Sequence, residues 1–325
     1  MKIYTLILSI ILFVFFFTSC EKVIEFNGTV TNPMVVVNSI ISPDSVVKAQ
    51  VSLSRFFLSS QDTFTMVDNG TVTLFVNGIQ KELLTHTASG TYAGTYYKPI
   101  AGDSIRLVVQ TPGMNTVSCG TSIIPKTTII SIDTMHVFTD STTPITVFDS
   151  ISGTTTKIGN SIGRNLKFVL KFTDNPTVQN YYRLVVLTKT HTSKGTTSDY
   201  SFSFDDIVSG NTNKNSVGPP TSLTSNKFNV FSDDLFNGKT YPLTFSIPDN
   251  VNVYTIAGAP VVIRKDITIT LQSISQSYYL YLQTRAAIKT NTFFAEPVQI
   301  YSNVDGGMGV LGSYTSSIWR ISVKP

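Results

Sequence analysis

From Pro33 onward the chain is written in short runs of β-branched residues cut by turn residues, and this punctuation points to an all-β fold. "MVVVNSI" (34–40), "VVKAQVSL" (46–53) and "TVTLFVN" (71–77) are rich in Val, Ile and Thr, whose stiff branched side chains pack well on a pleated surface. Asn77-Gly78, between "TVTLFV" and "IQKELL", is a hairpin signal, because a two-residue turn asks for positive φ at both positions. "GTYAGTYY" (90–97) and "SIRLVVQ" (104–110) continue the series, which has the pattern of a sandwich or barrel. "SIIPKTTI" (122–129) marks the expected domain boundary, and the strands lengthen after it. "LKFVLKF" (166–172) alternates apolar and polar residues as a half-buried strand does. "NYYRLVVLTKTHT" (180–192), "YSFSF" (200–204), "YPLTFSI" (241–247) and "DITITLQSI" (266–274) follow. The expected organisation is a β-sandwich over 34–125 and a larger β domain over 126–325. Segments 139–165 and 208–227, rich in Thr, Ser, Asn and Gly, are expected to be long surface loops. One helix is expected near 275–290, where apolar side chains at 278, 281, 282, 286 and 288 take the i+3 and i+4 steps of a stripe.

Ahead of the strands, Lys2 is followed by no charged residue until Glu21, and residues 3–17 are mostly Leu, Ile, Val and Phe. A bilayer-spanning helix needs roughly 20 apolar residues. This shorter run, basic at its start and closed by small residues, is laid out as a secretory signal. Phe17-Thr18-Ser19-Cys20 resembles the lipobox of bacterial lipoproteins, with Phe17 where Leu is usual. The resemblance implies a signal peptide over 1–19, an acylated Cys20 at the new N-terminus and a lipidated tether over 20–33. Several acyl chains hold firmly, at ~0.8 kcal/mol per buried methylene. The competing reading is a plain secretory signal with an incidental cysteine. The chain has two cysteines; with Cys20 given to lipid, Cys119 has no partner for a disulfide and is expected to be a small apolar core residue. Glu21, Lys22 and Glu25, directly behind the anchor, resemble the acidic signal that sends some lipoproteins to the cell surface. The competing reading is that they merely solvate the tether and the protein stays periplasmic.

Residues 1–19 carry one charge, Lys2, so the net +4 of the chain becomes +3 without them. With no cluster of Lys and Arg, nucleic-acid binding is excluded. Charged residues make up 14%, against about 25% in an average globular protein, and Thr, Ser and Asn supply the polar surface instead. Gly307-Met308-Gly309-Val310-Leu311-Gly312 has the G-x-G-x-x-G spacing of a dinucleotide site. That motif works only between a strand and a helix, and here strand-like "SSIWRISV" follows, so a tightly packed glycine turn is the expected role. His86, His136 and His191 are far apart with no H-E-x-x-H partner, and no G-x-S-x-G elbow is present. Asp205-Asp206 and Asp233-Asp234 lack the regular spacing of a calcium loop and are expected to be solvated loop acids. The tyrosine pairs 96–97, 181–182 and 278–279 are candidates to line a groove; the alternative puts one ring of each pair in the core and the other at the surface. The chain is therefore expected to be non-catalytic, with no cofactor and no metal site; its ligand residues are not legible.

Four stretches in the second half, "TDNPTVQNYYRLVV" (173–186), "FSDDLFNGKTYPL" (231–243), "LQSISQSYYLYL" (271–282) and "FFAEPVQIYSNVDGGMGVLGSY" (293–314), resemble, in order, motifs of a Bacteroidota lipoprotein family known as domain of unknown function 4249. The last is the most specific: an E-P pair, then S-N, an acid and a G-G-x-G turn. Before residue 125 the strand spacing resembles an immunoglobulin- or transthyretin-like sandwich, and the Thr/Ser-rich insertion near 139–165 departs from the family pattern. The resemblance implies an outer-membrane, lipid-anchored protein, exposed at the cell surface, that serves as an accessory or ligand-binding partner of a TonB-dependent transporter. A structural or assembly lipoprotein of the outer membrane is the alternative. The resemblance supplies no catalytic residue.

Overall fold

In the computed structural model the described residues are 32–56, 63–204, 227–255, 258–259, 261–288 and 299–324. Cys20, Glu21, Lys22 and Glu25, the acidic pair Asp205-Asp206, and all but Lys227 of the segment 208–227 lie outside them. Among the described residues the fold is all-β with one helix. In the first part β1 (Val35–Ile41), β2 (Lys48–Leu53), β3 (Thr71–Val76), β4 (Ile79–Ala88), β5 (Thr91–Ala93), β6 (Ser104–Gln110) and β7 (Val117–Ser122) fold into a sandwich. The alternation in β1 sends Val35, Val37, Ser39 and Ile41 inward and Asn38 and Ile40 outward, as the period of a strand requires. β4 changes partner along its length: Ile79–Leu84 pairs with β3 and Thr85–Ala88 with β5. The ladder thus passes around one core, where Val37, Val51, Leu74, Ile105 and Leu107 are fully buried. Asn77-Gly78 makes the expected turn between β3 and β4.

The second part contributes β8 (Ile129–Asp149), β9 (Thr154–Thr173), β10 (Tyr181–Thr192), β11 (Gly195–Asp199), β12 (Ser203–Phe204), β13 (Val230–Ser232), β14 (Thr240–Pro248), β15 (Val251–Tyr254) and β16 (Val262–Ile274). Helix α1 (Gln276–Ala286) follows, then β17 (Val304–Asp305) and β18 (Met308–Val323). A sheet of β12, β14, β9, β15 and β8 faces β10, β16 and the end of β18. Their shared core is aromatic: Phe168 stacks on Phe245 with ring centres 5.0 Å apart, and Phe172, Tyr182 and Phe236 pack beside them. Leu184, Ile269 and Leu271 complete the opposite wall.

β18 belongs to both parts. Met308–Ser313 runs parallel to β1, whereas Tyr314–Val323 runs antiparallel to β16. Val304 and Leu311 close the first core, while Trp319, Ile321 and Val323 pack on the second. The connector after β7 is fastened to the same seam by hydroxyls: Ser313 Oγ donates to the Ser122 carbonyl at 2.5 Å, Thr127 N–H donates to Ser273 Oγ at 3.2 Å, and Ser317 Oγ donates to the Thr127 carbonyl.

One expectation about the elements fails outright. Residues 139–165 are not a loop: they lie in a long hairpin in which β8 and β9 pair from Ile129↔Phe172 to Asp149↔Thr154, with bulges near 130, 140 and 145. Thr, Val and Ile favour strands, and here that preference prevails over the loop-like look of the Ser, Asn and Gly among them. At the tip Asp149 accepts from Ile151 N–H at 2.9 Å and from Ser152 Oγ at 2.8 Å.

Candidate functional site

The candidate site is a groove of about 480 Å³ between α1 and the outer face of β1 and β2, within the size range of ordinary small-molecule pockets. Its floor is set by strand alternation. With the inward positions of β1 and β2 filling the core, Asn38, Ile40, Lys48 and Gln50 face outward, and Val310 of β18 lies beside Asn38. Tyr278, Tyr281, Leu282 and Arg285 of α1 form the wall.

The helix is held against the strand by its own start. Ser275 caps α1, accepting from Tyr278 N–H at 3.3 Å, and so satisfies one of the free donors of the first turn. The same residue exchanges two bonds with Ser313 of β18, at 2.9 and 3.0 Å. Ser277 Oγ donates to the Leu311 carbonyl at 2.8 Å. Gly312 permits this closeness, since a β-carbon there would stand 2.7 Å from Tyr278 Cβ. Gly309 does the same against β1: its φ is +113°, and a β-carbon would meet the Val37 carbonyl oxygen at 2.1 Å. The glycine series 307–312 is therefore a close-packing device at the start of β18.

Aromatic and cationic groups fix the wall. Arg183 Nη1 donates to Tyr278 Oη at 3.2 Å, and burial pushes the Tyr278 pKa up. The Arg285 guanidinium lies over the rings of Phe228 and Tyr281, 5.7 and 5.9 Å from their centres. Tyr279 turns the other way and stacks on Tyr181 at 4.5 Å. Leu282 is the buried anchor of the helix. Among the described residues the groove is lined by Lys48 and Arg285 but by no Asp or Glu.

The other sequence candidates fall elsewhere. His86 pairs with Asp68, His136 with Asp249 and His191 with Asp266, at 2.9, 3.2 and 2.8 Å. Among the described residues no three His, Cys, Asp or Glu side chains converge to hold a metal. Asp249 is buried and meets Arg164 and Lys265, both at 2.6 Å. Asp233 corrects the expectation of a solvated acid: it is 1% exposed and accepts from Asn180 N–H at 2.8 Å. Tyr181 and Tyr182 are both buried, on opposite faces of β10, because α1 covers the outer face that would otherwise meet water. Tyr96 is exposed, whereas the half-buried Tyr97 donates to Asp103. Cys119 is a buried free thiol in β7 whose pKa burial pushes up to about 12, the core role expected of it.

Most of the stretches that carry the family resemblance are architectural. Asp174 accepts from Tyr182 Oη and from Gly238 N–H, so 173–186 clasps 231–243. Asn303, of the S-N pair, donates to the Gly120 and Leu311 carbonyls and accepts from Leu311 N–H, each at 2.9 Å. Glu296-Pro297 lies outside the described residues. The stretches 271–282 and 308–314 bring α1 onto β18 and so create the groove. A family model, Domain of unknown function (DUF4249), matches residues 21–318. The chain belongs to the DUF4249 family. No curated protein matches this DUF4249 chain. A solved structure from Corynebacterium diphtheriae, that of a candidate membrane anchored protein, is similar to it at 12% identity and a TM-score of 0.21. The match covers 76% of the DUF4249 chain and 56% of the other, so this chain spans little more than half of that structure's length. No helix among the described residues of the DUF4249 chain is long and apolar enough to cross a membrane.

Groove residues Asn38, Lys48, Gln50 and Arg285 escape sequence reasoning, because strands far apart in sequence bring them together. The sequence signal for the groove is the tyrosine-rich helix, whose Tyr278 belongs to a candidate tyrosine pair.

Proposed function

We propose that this protein is a lipid-anchored, surface-exposed lipoprotein of the outer membrane that acts as a non-catalytic accessory or ligand-binding partner of a TonB-dependent transporter. The observation that carries the binding role is the groove beneath α1. Its floor belongs to a rigid sheet and its wall to a capped helix, so it needs little reorganisation to receive a ligand. Phe17-Thr18-Ser19-Cys20 supports the anchor, Glu21, Lys22 and Glu25 support export to the surface, and the family resemblance supports the transporter. Copurification from native membranes tests the reading: a stoichiometric TonB-dependent receptor is expected, and its absence refutes the partnership. Cys20→Ala should abolish labelling by a clickable palmitate and release the protein from membranes. External protease should remove the protein from intact cells while sparing a periplasmic control; protection until lysis would place it inside.

The structural or assembly reading draws on the β8–β9 hairpin. Its distal part exposes Phe148 at 64% and Ile151 at 97%, apolar side chains suited to contact another protein. Recovery of an assembly machine in place of a transporter would favour it.

A further inference from the structure

We infer that the groove between α1 and β1–β2 takes a small acidic ligand, a carboxylate of one or two sugar or amino-acid units, with Lys48 and Arg285 meeting its charge. The inference deepens the reading of this chain as a binding protein and rests on it.

Three observations converge on it. The first is charge. Among the described residues the lining holds two cations and no carboxylate, and neither Lys48 nor Arg285 forms an ion pair. Four cations elsewhere have such partners: Arg164 and Lys265 meet Asp249, Lys171 meets Asp133, and Arg264 meets Asp266. Two like charges beside one concavity repel each other and focus a positive potential into it. A bound anion reverses that cost and gains charge-assisted hydrogen bonds.

The second is preorganisation. Arg285 is positioned by Phe228 and Tyr281 through the face of its guanidinium. Its only described hydrogen bond within the wall is a long one, 3.5 Å, to Tyr281 Oη. A stacked guanidinium keeps its planar fork of donors in place for a carboxylate. Lys48 projects from the outer face of β2, whose backbone is tied down by Ser39 Oγ donating to the Lys48 carbonyl at 2.6 Å.

The third is the remainder of the lining. Asn38, Gln50 and Thr91 offer amides and a hydroxyl, while Tyr278 and Tyr281 offer ring surface. This mixture suits a compact ligand with hydroxyl or amide groups around its charge, and a volume of about 480 Å³ suits one or two such units. A purely apolar ligand would leave the amides and hydroxyl that it covers without hydrogen-bond partners, which is costly.

Titration calorimetry on the full-length, detergent-solubilised protein tests this with matched probes: digalacturonate against digalactose, and the dipeptide Glu-Glu against Gln-Gln. At least one acid should bind saturably at one per chain, with its neutral counterpart weaker by about tenfold or more, the worth of one charge-assisted bond. Lys48→Glu, an exposed change, should weaken the acid by at least about tenfold and leave the thermal midpoint unchanged. Arg285→Gln provides a second variant on the opposite wall. Binding of the sugar acid alone assigns the ligand to glycans, and binding of the dipeptide alone assigns it to peptides; either supports the inference. It is overturned if neither acid binds, if a neutral probe binds as tightly as its acid, or if neither variant weakens binding. The transporter partnership is decided separately. Acid binding by a chain that copurifies with no transporter overturns only the partnership, and a transporter partner without acid binding overturns only the inference.

Discussion

Glu82 shows how one side chain can shape a loop. It is 7% exposed and accepts from the Thr95 N–H, from Thr95 Oγ1 at 2.7 Å and from Tyr97 N–H at 3.4 Å. Burial alone would raise its pKa, but the donors of residues 95–97 outweigh burial and hold it below the ordinary 4.5. A depressed carboxylate pKa contributes stability that is present above the unfolded value and lost as pH falls through the folded one. Glu82→Gln should therefore destabilise the protein at pH 7, and the gap to the parent should close on acidification below about pH 4. Urea titrations at pH 7 and pH 3 measure both. Asp249 works in another way, as one carboxylate between the largely buried Arg164 and Lys265. Asp249→Ala leaves two cations without a counter-charge, and breaking a buried pair from one side costs about 3–5 kcal/mol. Equilibrium unfolding should show a loss of that order.

Among the elements, the β8–β9 hairpin reaches furthest from any core. β14 pairs with β9 only as far as Asn165, and β15 covers Gly159–Ile162; residues 146–157 are exposed throughout. Replacing Thr146–Lys157 by Asn-Gly should change unfolding free energy by no more than about 0.5 kcal/mol, as for surface substitutions. A larger loss in urea titration would show that the arm supports the fold. The same hairpin marks where sequence reading fails. The strands around it announce themselves because one face is buried, so that Leu166, Phe168, Leu170 and Phe172 alternate with Lys167, Val169 and Lys171. The arm has water on both faces, so no alternation is imposed and its composition reads as loop. Asp233 is a different failure: an acid in a turn looks solvated until the fold brings Asn180 N–H to it. Helix α1 was legible as an element through its apolar spacing, but the groove was not. Asn38 and Lys48 become neighbours of Arg285 only once α1 lies on β18 and β18 lies on β1.

At the scale of the whole molecule, β18 is a strand shared by two cores. Its first residues complete the ladder of β1, and its last cover β16. The single tryptophan, Trp319, reports on the second core, and the buried thiol of Cys119 reports on the first. In a chain carrying Cys20→Ser, Trp319 fluorescence and Cys119 labelling by a thiol reagent should give the same midpoint in urea, as a two-state transition requires. Separate midpoints would show that the two parts unfold independently. The pairing of β1 with β18 also fixes an order of events during synthesis. Val36 meets Met308, so the first described strand is edged by the last, and closing so long a loop is slow. Until residues 304–313 arrive, β1 presents an unpaired edge, the kind of surface on which chains aggregate. A nascent copy stalled before that point would carry a sandwich without its final strand, and would depend on whatever escorts it until the tail is delivered.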